Sequence, residues 1–172
     1  IGDSPPPLIA LGATLHLRYG DARRDLPLED FFIAYGKQDR IPGEFVEAIT
    51  LPRGHADLRV YKLSKRFDQD ISAVCAAINI TRDGDTIASA RIAYGGMAGT
   101  PQRARAAETA LTGAKWHSDS FETAATAMAE DFVPMTDMRA SAAYRLKTAQ
   151  NMLLRYHADR DGTLTNLAQV SS

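Results

Sequence analysis

Along residues 13–19 apolar and polar positions alternate, with Leu15, Leu17 and Tyr19 on one side and Thr14, His16 and Arg18 on the other. A period of two predicts a strand with one buried face. Ahead of it, residues 5–11 predict a short helix. Asp3 or Ser4 can cap it, prolines are tolerated in a first turn, and Gly12 ends it. Residues 26–32 mix acidic and apolar positions, with Pro27 at a turn or helix start. Residues 35–43 are polar and finish in Pro42-Gly43, which predicts a loop. Residues 45–51 predict a second strand, stopped by Pro52.

The pattern sharpens beyond a boundary expected at residues 53–57. Residues 58–62 predict a short strand, 63–70 a charged loop and 72–82 a long strand with Val74, Ala76, Ile78 and Ile80 on one face. Asp83-Gly84 predicts a hairpin turn, because both residue types tolerate positive φ, and residues 86–94 return as the partner strand. Gly95, Gly96 and Gly99 form a flexible connection. Thr100-Pro101 predicts the opening of a helix that crosses the alanine-rich 103–111 and stops at Gly113. A second helix, capped by Ser118 or Asp119, runs to Phe132 ahead of Pro134. A third, capped by Asp137, runs to about Tyr156 with Ala142, Leu146, Ala149, Leu153 and Tyr156 as its apolar stripe. Strands followed by helices predict an α+β fold, a small antiparallel sheet with three helices on one face. Residues 159–172 read as a polar, mobile tail.

Composition narrows the function classes. The 172 residues carry a formal net charge of -1, with 45% hydrophobic and 24% charged positions, as in an ordinary soluble domain. Near-neutrality argues against a nucleic-acid or anionic-membrane surface, which needs a local cationic excess. No apolar run approaches the ~18 residues of a membrane span, and the N-terminus lacks the basic-then-apolar form of a signal peptide. The single cysteine, Cys75, permits no internal disulfide and no thiolate-rich metal site, and a reducing cytoplasm is the simplest setting. Cys75 alternates with Val74 and Ala76 and reads as a packed thiol. The histidines, His16, His55, His117 and His157, show no metal-ligand spacing and read as surface positions.

Two stretches carry candidate chemistry. Lys62, Ser64, Lys65, Arg66, Asp68, Gln69 and Asp70 form the densest polar cluster. As chemistry rather than a solvated loop, Lys62 and Arg66 would place positive charge beside an anionic group, with Asp68 and Asp70 orienting them. A reduced flavin is such a group, and a nearby cation raises its reduction potential. The glycine-rich 95–101 precedes a predicted helix start and reads either as an anion cradle or as a tight strand-to-helix connection.

Several motifs, taken in order, resemble one family. They are Ile1-Gly2-Asp3-Ser4-Pro5, the run 26–32, Tyr61-Lys62-Leu63-Ser64-Lys65-Arg66, Asp70-Ile71-Ser72-Ala73-Val74, Tyr94-Gly95-Gly96-Met97-Ala98, and the run from Asp137-Met138-Arg139 to Ala143-Tyr144-Arg145. Together they are similar to the C-terminal part of the FAD-binding small subunit of bacterial xanthine dehydrogenases, within the molybdenum hydroxylase family. The resemblance implies three parts: residues 1–55 as the end of a vanillyl-alcohol-oxidase-type FAD domain, 56–158 as a C-terminal α+β domain like that of the CO dehydrogenase flavoprotein, and 159–172 as a tail. It implies that Asp3, Val46 and Lys62 lie at FAD, and that Arg66, Asp68, Gln69 and Asp70 form a loop governing access of NAD to the flavin. Phe67 and Gln69 depart from the arginine and the acidic residue of mammalian relatives. No catalytic residue and no metal ligand is expected in the chain itself. [2Fe-2S] clusters and molybdopterin are expected elsewhere in the complex, the latter on a large subunit. Chain beginning within a larger polypeptide is likewise expected, with the residues that hold the FAD pyrophosphate lying upstream. The implied activity is oxidation of hypoxanthine or xanthine to urate with electrons leaving through FAD to NAD. Other molybdenum hydroxylases of aldehydes, N-heterocycles or carbon monoxide, or a docking module without chemistry, stand as alternatives.

Overall fold

The computed structural model describes residues 2–54 and 57–162. Its N-terminal half begins with helix α1 (Pro5–Ala10), ended by Gly12 at φ 74°. Strand β1 (Thr14–Tyr19) then pairs antiparallel with β2 (Ala22–Pro27) and with β5 (Phe45–Thr50), giving the order β2-β1-β5. Between β2 and β5 lie a short helix α2 (Leu28–Phe31) and a hairpin of β3 (Phe32–Ala34) with β4 (Lys37–Gln38). Leu15 and Leu17 face the core, as the alternation predicts, while His16 and Arg18 lie on the polar face with Asp25, Thr50 and Glu47. Strand β2 has no hydrophobic alternation to reveal it. It exists because the turn at Gly20 (φ 57°) returns the chain along β1, and ladder bonds hold its exposed arginines in register.

The second half is a four-stranded antiparallel sheet, β6-β7-β8-β9, built from Arg59–Leu63, Val74–Asp83, Thr86–Gly95 and Gln102–Arg103. Helices α3 (Arg105–Leu111), α4 (Ser118–Asp131) and α5 (Ala142–Arg160) supply the other half of its core. Val74, Ala76, Ile78 and Ile80 join Ile92, Tyr94, Phe121, Met128, Leu153 and Tyr156 in one buried cluster. The α+β architecture and the helices on that face are as expected. The opposite face is covered too. Ala77 and Ala93 pack into a second core with Ile9, Ala10, Leu15 and Leu17, and Asn79 donates to the Ala10 carbonyl at 3.3 Å. Burial on both faces explains why β7 is a continuous apolar run rather than a strict alternation. A charged cluster reinforces the same join: Glu29 of α2 accepts from Arg91 at 2.8 Å, Arg103 at 3.1 Å and Arg105 at 3.1 Å.

Several local expectations are corrected by tertiary contacts. The hairpin loop is Gly84-Asp85 rather than Asp83-Gly84, since Asp83 pairs with Thr86 and Gly84 alone takes positive φ. Thr100-Pro101 does not open α3. Gln102 and Arg103 add β9 to the sheet first, and the free amides of Ala106 and Ala107 are taken by the Asp131 carboxylate of α4 at 2.8 and 3.2 Å. Helix α4 is capped by His117, whose Nδ1 accepts from the Asp119 amide, and α5 by Ser141 rather than Asp137. His157 is not a surface residue. Its ring packs against Phe121 and Trp116, with centroids at 4.6 and 5.4 Å. His55, two residues of the expected boundary, and all but the start of the expected tail lie outside the described residues.

Gly96 shows how tightly the end of the hairpin is built. It has φ 83°, and a Cβ there would stand 2.2 Å from the Ala73 carbonyl oxygen. Gly96→Ala is expected to cost about 2 kcal/mol or more, since left-handed backbone alone costs roughly 1–2 kcal/mol for an L-residue. Gly84→Ala, in open space, should lose only the backbone part. Urea denaturation of the two variants measures the difference.

Candidate functional site

Strand parity aims the candidate residues. In β6, Tyr61 points into the helix-side core, where its hydroxyl donates to Asp159 at 2.6 Å. Lys62, the next residue, therefore faces the other side, toward α1. There its Nζ donates to the Asp3 carboxylate at 2.8 Å and to the Asp70 carbonyl at 2.7 Å. Ser72 donates to the other Asp3 oxygen at 2.5 Å. Cys75, paired with Lys62 across the β6–β7 ladder, is buried behind them with its Sγ 4.0 Å from the Asp3 carbonyl oxygen. Burial, with the Asp3 charge adding to it, pushes the Cys75 thiol up to about 11, so it stays protonated, as a packed thiol should.

The Asp3 carboxyl lies below its ordinary range. Partial burial works against this, and the hydrogen bonds from Lys62 and Ser72 outweigh it. Lys62 is correspondingly raised, chiefly by the hydrogen bond to Asp3. Both side chains remain partly open, at 41% for Lys62 and 42% for Asp3. The pair offers solvent a donor and an acceptor side by side rather than an isolated cation. This changes the expected electrostatics, because the Lys62 charge is already matched by a carboxylate.

The 64–70 loop is organised around Asp70. Its carboxylate accepts from the amides of Lys65, Arg66 and Ile71 at 3.1, 3.0 and 2.9 Å, and these bonds, led by that from Arg66, hold its carboxyl below the usual range. Arg66 reaches the Gln69 carbonyl at 3.0 Å, and Gln69 sits at φ 50°. Asp68 accepts from the Gln69 amide at 2.8 Å, so it shapes the turn and orients neither cation. Phe67 is fully exposed at the tip. Val46 stands apart on β5, in the other sheet, opposite Leu17 and half-exposed.

Beside Asp3 a cleft of about 360 Å³ opens between Gly2, the β3–β4 hairpin at Tyr35, and Gly95, Gly96, Gly99 and Thr100. The glycine-rich connection thus lines a cleft but does not cap a helix. Sequence reasoning missed Ser72, Asp137, Arg139 and Arg145. Arg145 did leave a signal, since it falls on the apolar stripe of α5 between Ala142 and Ala149, where a charge needs a buried partner. Among the described residues no group of three or more His, Cys, Asp or Glu could hold a metal ion, and no helix is long and apolar enough to cross a membrane.

The chain belongs to the CO dehydrogenase flavoprotein C-terminal domain family, whose model matches residues 59–159. Residues 1–54 match the FAD binding domain in molybdopterin dehydrogenase. Among relatives, the chain is 31% identical over 165 residues to nicotinate hydroxylase from Emericella nidulans, covering 91% of this chain and 12% of that protein. It is 27% identical over 153 residues to the xanthine dehydrogenase FAD-binding subunit of Escherichia coli O157:H7, covering 87% of this chain and 52% of that one. Among solved structures, it superimposes with a TM-score of 0.82 at 29% identity on carbon monoxide dehydrogenase from Hydrogenophaga pseudoflava, covering 88% of this chain and 53% of that one. The chain therefore spans about an eighth of the fungal relative and about half of the separate flavin subunit.

The residues at Asp3 fit the cofactor of this family. An isoalloxazine edge alternates carbonyl acceptors with an N–H donor, and a half-open ammonium beside a half-open carboxylate matches both. FAD, when bound, supplies the hydride chemistry.

The ion pair has a pH signature. A carboxyl depressed in the fold contributes stability above its unfolded value, roughly 3.9, and that contribution disappears as pH falls through the folded value. In Lys62→Met the Asp3 titration should move up toward the ordinary range, with wild type and variant converging in stability at acid pH. Carbon-detected NMR of the Asp3 carboxyl checks the direction, and an unchanged titration would contradict the pairing.

Proposed function

We propose that this chain is the C-terminal part of the flavin-binding subunit of an NAD-linked xanthine dehydrogenase, passing electrons from iron-sulfur clusters through FAD to NAD. In this reading residues 1–55 finish the FAD domain, 56–158 form the α+β domain that closes over it, and 159–172 are a tail. The observation that carries the reading is the Lys62–Asp3–Ser72 constellation, which joins the segment matching the FAD domain to the segment matching the flavoprotein C-terminal domain. Asp3 and Lys62 contact the ring. Val46, on an edge strand whose apolar positions Val46 and Ile49 are left half-exposed, packs toward polypeptide and cofactor supplied from upstream. The loop of Arg66, Asp68, Gln69 and Asp70 stands over the approach of NAD.

Within the same reading, the molybdopterin-binding large subunit, [2Fe-2S] clusters and the purine lie on partners or upstream chain, in a cytoplasmic enzyme. A second reading keeps the flavin role and changes the substrate, and it draws on relatives that include a nicotinate hydroxylase and a carbon monoxide dehydrogenase. Substrate choice belongs to the molybdenum partner in either case, so assaying the purified complex with xanthine, nicotinate and carbon monoxide separates them.

Lys62→Met in the complete enzyme should weaken FAD binding by about tenfold or more, the worth of one charge-assisted hydrogen bond of roughly 1.5–3 kcal/mol. Flavin retention after dialysis and the visible flavin spectrum report it. Full retention with an unaltered spectrum and unaltered NADH formation would favour a docking module instead.

A further inference from the structure

Among the described residues, Arg145 is the one charged side chain in the group of largest fully buried side chains, at 2% exposure. Its guanidinium donates to the Ala73 carbonyl, to the Gly96 carbonyl at 2.9 Å and to the Asp137 carboxylate at 2.6 Å, while its Nε is buried without a hydrogen-bond partner. Burying a guanidinium is costly, and leaving one nitrogen unpaired adds to the cost. An apolar residue would fill the space on α5 more cheaply. What only arginine provides here is simultaneous attachment of three backbone segments: the exit of the 64–72 loop, the end of β8, and the turn before α5.

That turn is shaped by Asp137. One of its carboxylate oxygens accepts from the Arg139 amide at 2.8 Å and the Ala140 amide at 3.1 Å as well as from Arg145. The turn then reaches the 64–71 loop from outside. Lys65 Nζ donates to the Met138 carbonyl at 2.6 Å, and Arg139 places Nη1 3.5 Å from the Ile71 carbonyl and 3.7 Å from the Asp70 carboxylate. The loop belongs to no strand, and it is pinned at its base by the Ala73 amide donating to Leu63 at 2.7 Å. Its other bonds are mostly internal, around Asp70, whose carbonyl in turn receives Lys62. A continuous series of contacts therefore runs from buried Arg145 through Asp137 and Arg139 to Asp70, and from there to the Lys62–Asp3 pair.

We infer that the 136–141 turn is a latch for the 64–71 loop, with Asp137 and Arg139 as positioning residues that set the approach to the Lys62–Asp3 site and Arg145 as the latch's anchor. The inference rests on the reading of that site given above. The latch holds the loop closed against the C-terminal domain, so the soluble electron acceptor meets a fixed entrance rather than a fluctuating one. The Arg139 side chain, partly exposed at 29%, reaches the Ile71 carbonyl and the Asp70 carboxylate and is not part of the buried apolar cluster, so its loss should release the loop without unfolding the domain.

The test uses the complete enzyme carrying Arg139→Ala, Asp137→Asn or the conservative Arg139→Lys. Hydrogen exchange should speed up by about tenfold at the amides of Lys65, Arg66 and Ile71 in the first two variants, the signature of local opening. The amides of Ile78 and Ile92 should be unaffected, and Arg139→Lys should restore part of the protection. The Michaelis constant for the soluble acceptor should rise roughly three- to tenfold while flavin reduction by the reducing substrate keeps its rate. Unchanged exchange at the three loop amides overturns the latch. Faster exchange confined to those amides with an unaltered acceptor constant leaves the latch standing and overturns the assignment of the loop to acceptor access, while the flavin reading of Lys62 and Asp3 stands or falls separately on flavin retention in Lys62→Met.

Discussion

The β7–β8 hairpin is buried on both faces, and the positions of the other elements follow from that constraint. One face takes the three helices and the other takes α1 with the small N-terminal sheet. Because side chains alternate across a strand, residues 74–80 of β7 and 90–94 of β8, together with β6 beside them, are directed to one side or the other by parity, while a register shift at Thr81–Arg82 breaks the alternation toward the hairpin tip. A slip of one residue in β6 would turn Lys62 into the helix-side core and bring Tyr61 to Asp3. The register Lys62 opposite Cys75 thus sets which side Lys62 faces independently of its polar contacts.

Electrostatics then tie the halves together at two ends of this sandwich. At the open end of the hairpin, Lys62 and Asp3 neutralise each other, with Ser72 completing the carboxylate. On the neighbouring side, Glu29 gathers Arg91, Arg103 and Arg105, and Arg103 also meets Glu108, which in turn accepts from the Ile92 amide. Charge-assisted bonds of this kind are directional, so they specify relative orientation where apolar contacts would tolerate sliding. The N-terminal segment is therefore an integral wall of the sheet rather than a domain resting on a flexible linker.

A half-open ion pair differs chemically from a lone cation. It presents a net-neutral donor and acceptor side by side, and its balance depends on how Lys62 is shared between Asp3 and the Asp70 carbonyl. Since that carbonyl belongs to the 64–71 loop, the position of the loop and the electrostatics of the pair are mechanically coupled.

The chain's periodicities determined most of the elements. The alternation of β1, the long apolar run of β7, the glycine at the hairpin tip and the stripe of α5 are local properties, legible because each repeats within a few residues. The ordered motifs were sufficient to assign the family, and they include Asp3 and Lys62, which the fold brings into contact. What only the tertiary structure decided are contacts between positions distant in sequence. Strand β2 is made by its partner and not by its composition. Helix α3 is capped by Asp131 of the next helix, not by its own Thr-Pro, and Asp137 serves a buried arginine instead of capping α5. Residue 3 meets residue 62 because α1 lies across one face of a sheet whose other face is already filled. No local period records such a meeting, since it depends on how two cores share one pair of strands.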